Sequence, residues 1–266
     1  MLTAAGIDVG HQSVKVVILE ASGVIAQAHY VLTGRVREAA EMALEKTLLG
    51  ASVERGSVSR LFVTGMGRDS VGFAHGHPTE MSSHVRGARW HCAAARTIID
   101  MGAEGFRVSK SDSMGNLTHF VLNDKCASGT GVFLETVASM MGVAVAEMGV
   151  LSLKATQALS LTTMCAVFAE SEIVALVHRG TAREDILRAV HESIVSRIVS
   201  IAKRVGLEPD IVLTGGVARN VGVVDGLRRQ LPMVTRVPEN PEMVGALGAA
   251  ILAAEAFGVD RSTFDD

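Results

Sequence analysis

The chain has few aromatic residues: they make up 4% of its 266 residues and include one Trp and one Tyr. Because hydrophobic residues still account for 48% of the sequence, the core must be built from Ala, Val, Leu, Ile and Met. No block of basic residues is present, and the net charge is −3, which argues against a nucleic-acid partner. The length admits one large domain or two modest lobes.

Long apolar runs are also missing. The longest, residues 14–19 and 246–254, are too short to span a bilayer. The first residues show neither a charged start nor a long apolar stretch, so we expect no signal peptide, no membrane partner and a cytoplasmic location. The three cysteines, an odd number, do not suggest a disulfide framework, and are instead thiols, metal ligands or nucleophiles.

One supersecondary pattern occurs twice along the chain. An apolar run ends in Asp8-Val9-Gly10, a turn follows and a second apolar run begins, and the same order recurs at Asp100-Met101-Gly102. Two copies of one unit predict two related lobes with a ligand cleft between them. We place the first lobe at residues 1–95 plus 249–266 and the second at residues 96–248.

Both Asp-x-Gly turns have the composition of a phosphate site. Gly10 permits a tight turn whose N–H groups can form an anion-binding nest. Asp8 can hold Mg²⁺ through water, and Lys15 adds positive charge near a phosphate. An ordinary hairpin with Asp at its turn would show the same residues. The second turn, with Asp100 and Gly102, adds weight because two nests can clamp one polyphosphate from both sides.

Two glycine-containing segments nearer the C-terminus fit a nucleoside. Leu213-Thr214-Gly215-Gly216-Val217-Ala218-Arg219-Asn220 predicts a buried strand, paired glycines and the start of a helix. A flat adenine or ribose can lie against backbone that carries no Cβ, although a close strand–helix turn would look alike. The segment Gly245-Ala246-Leu247-Gly248 offers small residues to a base edge or to another helix. The nucleoside candidates are Gly215, Gly216, Val217, Asn220 and Gly245.

In this order, the elements resemble the sugar kinase, heat-shock chaperone and actin superfamily over nearly the whole chain. The resemblance implies an α/β, actin-like ATPase fold in which two lobes with mixed sheets surround a nucleotide cleft. It also implies ATP or ADP with Mg²⁺ as ligands, and a last helix, at about residues 249–258, that returns to the first lobe.

Two cysteine-containing segments narrow the family. They are Asn123-Asp124-Lys125-Cys126-Ala127-Ser128-Gly129-Thr130-Gly131 and Cys165-Ala166-Val167-Phe168-Ala169-Glu170-Ser171-Glu172. Both resemble the BadF/BadG/BcrA/BcrD group, which comprises activators of 2-hydroxyacyl-CoA dehydratases and ATPase subunits of benzoyl-CoA reductase. Without the resemblance, two buried apolar cysteines would explain Cys126 and Cys165 as well as a metal site would.

The resemblance implies that Cys126 and Cys165 bind a [4Fe–4S] cluster together with two cysteines of a second, homologous or identical ATPase subunit. Two cysteines in one chain are too few for a four-cysteine site, so a cluster requires this partner. The resemblance further implies a ferredoxin-like electron donor and a CoA-thioester reductase or dehydratase as acceptor. It adds four residues to the cofactor-binding candidates: Gly129, Thr130, Gly131 and Glu170.

The second turn departs from the activators. After Asp100 they usually carry Gly-Gly-Gln-Asp, whereas this chain has Gly102-Ala103-Glu104-Gly105. Ala103 would add a Cβ near the phosphate, and we expect Glu104 to substitute in part for the missing pair in positioning water. The Gly-Ala variant looks closer to the D-type subunit of benzoyl-CoA reductase, which pairs with a different ATPase subunit. The predicted catalytic residues are Asp8, Asp100 and Glu104.

The first turn departs as well. It has His11 where Ser or Thr is usual, and we expect Ser13 to take the hydroxyl role. The cofactor-binding candidates of this turn are Gly10, Gln12, Ser13 and Lys15, and those of the second turn are Gly102 and Ala103.

The sequence therefore predicts an ATPase subunit that passes low-potential single electrons to a CoA-thioester reductase of the benzoyl-CoA reductase type, in the D-type role. The alternative is a homodimeric activator of a 2-hydroxyacyl-CoA dehydratase, and self-pairing separates the two. A small-molecule kinase of the same superfamily would give Cys126 and Cys165 no task. A non-catalytic regulatory module would bind ATP without turnover.

Overall fold

The computed structural model describes residues 2–123, 130–161, 166–231 and 235–259. In these residues the chain forms two mixed β-sheets with helices packed on them. The predicted α/β class with two mixed sheets is confirmed. The division into lobes at residues 95 and 249 stays a prediction.

The first sheet has the strand order β3-β2-β1-β4, with β1 antiparallel to β2 and parallel to β4. Its strands are β1 (Thr3–Val9), β2 (Ser13–Glu20), β3 (Gly23–Val31) and β4 (Val58–Thr64). Every residue of β1 is buried, as is typical of a strand covered on both faces. Ile7 and Val9 face helix α1 (Val36–Gly50), whereas Ala4 faces helix α8 (Val244–Glu255).

The second sheet has the order β7-β6-β5-β8-β9 and repeats this arrangement around β5. Its strands are β5 (Thr97–Met101), β6 (Phe106–Ser111), β7 (Leu117–Asn123), β8 (Ile211–Thr214) and β9 (Thr235–Arg236). Strand β5 is antiparallel to β6 and parallel to β8, as β1 is to β2 and β4. The largest hydrophobic cluster on this second sheet joins β5, β6 and β8 to the helices that follow β7.

The remaining helices follow in chain order: α2 (Glu80–His91), α3 (Gly131–Met141), α4 (Val145–Ser152), α5 (Ala166–His178), α6 (Arg183–Val205) and α7 (Val221–Gln230). In the described part of the chain, no single helix is long and apolar enough to cross a membrane. The bent pair α3–α4 meets the length and composition criteria only when its two helices are taken together.

Helices α2 and α8 cross closely between the two sheets, and α2 also contacts β5, β6, β7 and β8. At the crossing, a Cβ on Gly248 would lie 1.7 Å from the carbonyl oxygen of Ser83, and one on Gly87 would lie 2.1 Å from that of Val244. Only glycine permits this approach of two backbones. Helix α2 therefore packs on the second sheet and on α8, which itself packs on β1, β2 and β4 of the first sheet, and the side chains of α2 can reach both Asp-x-Gly turns.

Candidate nucleotide site

The two Asp-x-Gly turns place their aspartates in equivalent positions. Asp8 pairs with Lys15 across the β1–β2 ladder, and Asp100 pairs with Arg107 across the β5–β6 ladder. Lys15 Nζ lies 3.3 Å from Asp8 Oδ2, and Arg107 Nη1 lies 3.3 Å from Asp100 Oδ2. Each aspartate thus has a cationic partner seven residues later, which is the sign of charge that a polyphosphate requires.

The repeat extends to the neighbouring parallel strands. Each aspartate is in register with a threonine that a glycine of positive φ follows. The pairs are Thr64-Gly65 beside Asp8 and Thr214-Gly215 beside Asp100. A Cβ on Gly65 would lie 2.5 Å from Asp8 Oδ1, and one on Gly215 would lie 2.6 Å from Asp100 Oδ1. Both glycines therefore let the strand end turn directly over a carboxylate.

Helix α2 adds two residues that the sequence did not single out for the nucleotide site. Glu80 Oε2 lies 2.7 Å from Arg107 Nη2, and His84 Nδ1 lies 3.5 Å from Asp100 Oδ1. Burial raises the pKa of Glu80, Arg107 opposes this, and the charges of Asp100 and Asp8 add to it. Burial alone would lower the pKa of Arg107, but Asp100, Glu80 and Asp8 raise it above its ordinary value.

The second turn is bonded to the start of helix α3. Gly131 N donates to the carbonyl oxygen of Gly102 at 3.0 Å, and Val132 N donates to that of Ala103 at 2.9 Å. The first N–H groups of a helix have no partner within it, and here the turn provides one for two of them. A shift of the Gly102 backbone would accordingly be felt at the first residues of α3.

The two departures from the activator pattern meet in space. His11 Nε2 lies 2.8 Å from Glu104 Oε1, and both side chains are about half exposed. Beside them, Gln12 Nε2 donates to Glu135 Oε2 at 2.8 Å. Exposed pairs of this kind contribute only about 0–1 kcal/mol. Their effect is positional: they join the first turn to the second turn and to helix α3.

One residue of the predicted nucleoside segment is open to a ligand, and two others make structural contacts. Gly216 is exposed, and a Cβ added there would meet nothing within 4 Å, which leaves a flat backbone surface. Val217 is buried and faces Gly131, since its Cγ2 lies 3.4 Å from the point where a Cβ on Gly131 would be. Asn220 caps helix α7 by accepting hydrogen bonds from two backbone N–H groups.

Gly245 lies in the first turn of α8, next to His84 and Asp8. A Cβ there would lie 2.8 Å from His84 Nε2 and 3.2 Å from Asp8 Oδ2. Gly10 likewise has little room for a side chain, because a Cβ there would lie 2.8 Å from Lys15 Nζ. Ser13 accepts a hydrogen bond from Gly10 N through its backbone carbonyl at 2.9 Å, and this bond closes the first turn.

The family model for the BadF/BadG/BcrA/BcrD ATPase family matches residues 5–253. The chain belongs to this family. It is 39% identical over 251 residues to the activator of lactoyl-CoA dehydratase of Anaerotignum propionicum, covering 94% of this chain and 97% of that one. It is 32% identical over 266 residues to the D-type subunit of the benzoyl-CoA reductase of Thauera aromatica, covering 96% of this chain and 94% of that one.

A solved structure agrees with the fold. The activator of the 2-hydroxyisocaproyl-CoA dehydratase from Clostridium difficile with bound ADPNP superposes with a TM-score of 0.90 at 35% sequence identity. The match covers 96% of this chain and 95% of that one. The actin-like fold and the assignment to an ATPase family are confirmed, and ATP is the nucleotide expected for this family.

Cys126, Gly129 and Cys165 lie outside the described residues. Thr130 is buried just before α3, and Glu170 is partly buried on α5. The roles predicted for these residues stay predictions, as do the individual roles of the residues in the two turns.

A buried histidine behind the nucleoside segment makes stability depend on pH. His191 is 2% exposed, contacts Ser152 Oγ through Nδ1 at 2.9 Å, and accepts from Asn220 Nδ2 through Nε2 at 3.1 Å. Burial lowers its pKa from 6.5 to about 4. His191 therefore takes up a proton near pH 6.5 in the unfolded chain but only near pH 4 in the folded chain. The stability contributed by neutral His191 is fully present above pH 6.5 and is lost on acidification.

We expect the free energy of unfolding to fall by about 2 kcal/mol through His191 between about pH 7.5 and pH 5. Urea unfolding at both pH values measures it. The variant His191→Gln should be less stable at neutral pH but should lose this part of the pH dependence. An unchanged difference between the two pH values in the variant would contradict the assignment.

Proposed function

We propose that this chain is an ATP-driven activator: it hydrolyses ATP and passes single electrons from an iron–sulfur cluster to a 2-hydroxyacyl-CoA dehydratase. The activators of lactoyl-CoA and 2-hydroxyisocaproyl-CoA dehydratases, at 39% and 36% identity, support the dehydratase over the benzoyl-CoA reductase subunit at 32%. The second candidate remains the D-type reductase subunit, which Gly102-Ala103 favours by its resemblance to that subunit.

The bond between the second turn and helix α3 is the observation that carries the proposal. Gly102 and Ala103 stand two and three residues after Asp100, and α3 starts at Gly131, the last residue of the segment that contains Cys126. A turn that changes position between bound ATP and ADP would pull on α3 through two hydrogen bonds. A change in nucleotide would in this way alter the position of a cysteine segment, as a conformational switch requires.

Mg²⁺ fits this site through Asp8. Among the described residues there is no group of three His, Cys, Asp or Glu side chains arranged to hold a metal. Mg²⁺ does not need one, because it is commonly bound by one or two carboxylates, phosphate oxygens and several waters. Asp8 would hold such an ion, and the ion would neutralise phosphate charge. Lys15 and Arg107 would add positive charge from either side.

The chemistry of a cluster fits the cysteine segments. Helix α5 begins at Ala166, directly after Cys165, and α3 begins shortly after Cys126. Backbone N–H groups at helix starts stabilise thiolates. A bound cluster would supply a carrier for one electron at a time. With two such cysteines per chain, a second ATPase subunit must contribute the other two ligands.

The energy of ATP is what such a transfer requires. For a one-electron step, about 59 mV corresponds to about 1.4 kcal/mol, so lowering a potential by roughly 300 mV costs on the order of 7 kcal/mol. In this proposal the two turns and α3 would change position with the γ-phosphate and so couple the energy of ATP to electron transfer. A ferredoxin-like donor would reduce the cluster again after each transfer.

The proposal is tested by the iron and acid-labile sulfide of anaerobically purified protein. We expect about two irons per chain, which corresponds to one four-iron cluster per pair of chains. Cys126→Ser should abolish iron binding. Cys92→Ser is the matched control, because Cys92 is buried among apolar residues at the end of α2, and it should keep the iron.

The same preparations then separate the candidate functions. ATP-dependent reduction of a dehydratase component by the wild type, lost in Cys126→Ser, supports the proposal. A homodimer that holds iron alone favours the activator, whereas iron that appears only with a homologous ATPase subunit favours the D-type role. ATP turnover without iron after anaerobic reconstitution, even with such a subunit present, would overturn the electron-transfer proposal.

A further inference from the structure

We infer that His84 is a positioning residue for ATP hydrolysis: it fixes the carboxylate of Asp100 through the hydroxyl of Thr214. The inference rests on the proposed ATPase function, and it assigns a task to a residue that lies outside both Asp-x-Gly turns. His84 is 6% exposed, and it lies on α2 between the two sheets.

The hydrogen bonds determine which way the protons point. Thr214 Oγ1 donates its one hydrogen bond to Asp100 Oδ1 at 3.3 Å. His84 Nδ1 lies 2.9 Å from the same hydroxyl oxygen, which must therefore accept a hydrogen bond from the ring N–H. The chain of donors runs from His84 Nδ1–H through Thr214 O–H to the carboxylate, and this fixes the orientation of the imidazole ring.

The other oxygen of Asp100 is held from the same helix. Arg107 Nη1 lies 3.3 Å from Asp100 Oδ2, and Arg107 Nη2 lies 2.7 Å from Glu80. Glu80 and His84 are four residues apart, so both project from one face of α2. One helix face thus controls both oxygens of this carboxylate: Glu80 through the guanidinium, and His84 through the hydroxyl.

The equivalent position beside Asp8 lacks this support. Thr64 matches Thr214 in register, yet its buried Oγ1 has no hydrogen-bond partner in the described part of the chain. The second ring nitrogen of His84, Nε2, instead lies next to Gly245. A Cβ on Gly245 would be 2.8 Å from this nitrogen and 3.2 Å from Asp8 Oδ2. The two aspartates are therefore not equivalent in function: the protein alone orients Asp100, whereas Asp8 is left with Lys15 to meet a ligand.

Such an arrangement is preorganisation, and its loss has a predictable cost. A carboxylate held in place needs no reorganisation when the phosphate reacts. At metal sites, removing a partner that orients a ligand typically costs about 10-fold to 100-fold, and we expect a loss of the same order here. Because His84 does not contact the nucleotide in this scheme, its loss should lower kcat while leaving the KM for ATP nearly unchanged.

Two variants distinguish positioning from mere packing. His84→Asn keeps an N–H group near the place of Nδ1, whereas His84→Gln places one near Nε2. We expect His84→Gln to lower kcat about 10-fold to 100-fold with less than about a threefold change in KM, and His84→Asn to recover most of the rate. His91→Gln, on the same helix, is the matched control and should leave both constants unchanged.

Thr214→Val provides an independent test if a His84 variant folds poorly. It should lower kcat as His84→Gln does, and the double variant should lose little more, since both changes break one chain of donors. Equal losses in His84→Asn and His84→Gln with a lowered melting temperature, or fully additive losses with Thr214→Val, would overturn the inference. A wild type that does not hydrolyse ATP would instead overturn the proposed function.

Discussion

Replacing Asp100 by Asn is expected to lower kcat for ATP hydrolysis about 100-fold to 1,000-fold. Asn is nearly isosteric, so the hydrogen bond from Thr214 can persist, but the negative charge that balances Arg107 is lost. Arg107 would then be held by Glu80 alone. The measurement is steady-state phosphate release at saturating ATP and Mg²⁺, with folding checked by the melting temperature.

The counterpart Asp8→Asn should behave differently, because Asp8 is assigned to Mg²⁺. We expect it to raise the Mg²⁺ concentration needed for half-maximal activity about 10-fold in addition to lowering kcat. Asp225→Asn, on α7, is the control and should be neutral, since its ion pair with Arg229 is partly exposed. Wild-type turnover in Asp100→Asn would refute the assignment of Asp100 to the reaction.

Replacing Gly248 by Ala is expected to have the largest effect on stability. The added Cβ would lie 1.7 Å from the Ser83 carbonyl oxygen, so helices α2 and α8 would have to move apart. Forced overpacking usually costs about 1–3 kcal/mol, and a clash with backbone belongs at or above the upper end. We expect a loss of about 3 kcal/mol or more in the free energy of unfolding, measured with urea.

Gly50→Ala is the matched control for this helix substitution. Gly50 ends α1, and a Cβ there would meet nothing within 4 Å. The higher helix propensity of alanine should make this variant neutral or more stable by up to about 1 kcal/mol. If Gly248→Ala were as stable as Gly50→Ala, the close crossing of α2 and α8 could not be correct.

The parts of the site that the sequence predicted are those coded within one local unit. Asp8 and Asp100 could be recognised because each ends an apolar run at a glycine turn, and the two copies supported one another. Arg107 was missed, although it stands seven residues after Asp100 as Lys15 stands after Asp8. Extending the comparison of the two copies by one strand would have found it.

Glu80 and His84 could not be assigned to the site in this way. They belong to neither copy, and it is the packing of α2 on α8 and on the second sheet that brings them to Asp100. Helix α4 is hard to predict from the sequence for a different reason: it has eight residues and a glycine, Gly149, within it, which lowers its intrinsic helix propensity. Packing against α6 and α7 stabilises it, and a single sequence does not display such packing.

The contact between His11 and Glu104 limits how the two Asp-x-Gly turns can be exchanged independently between related proteins. Each residue departs from the usual activator pattern, and each is the other's partner across the site. A chimera that takes one turn from a relative would leave the remaining residue facing a side chain of another charge or length. The two turns are therefore best exchanged together, although ninety-three positions separate the two residues in the sequence.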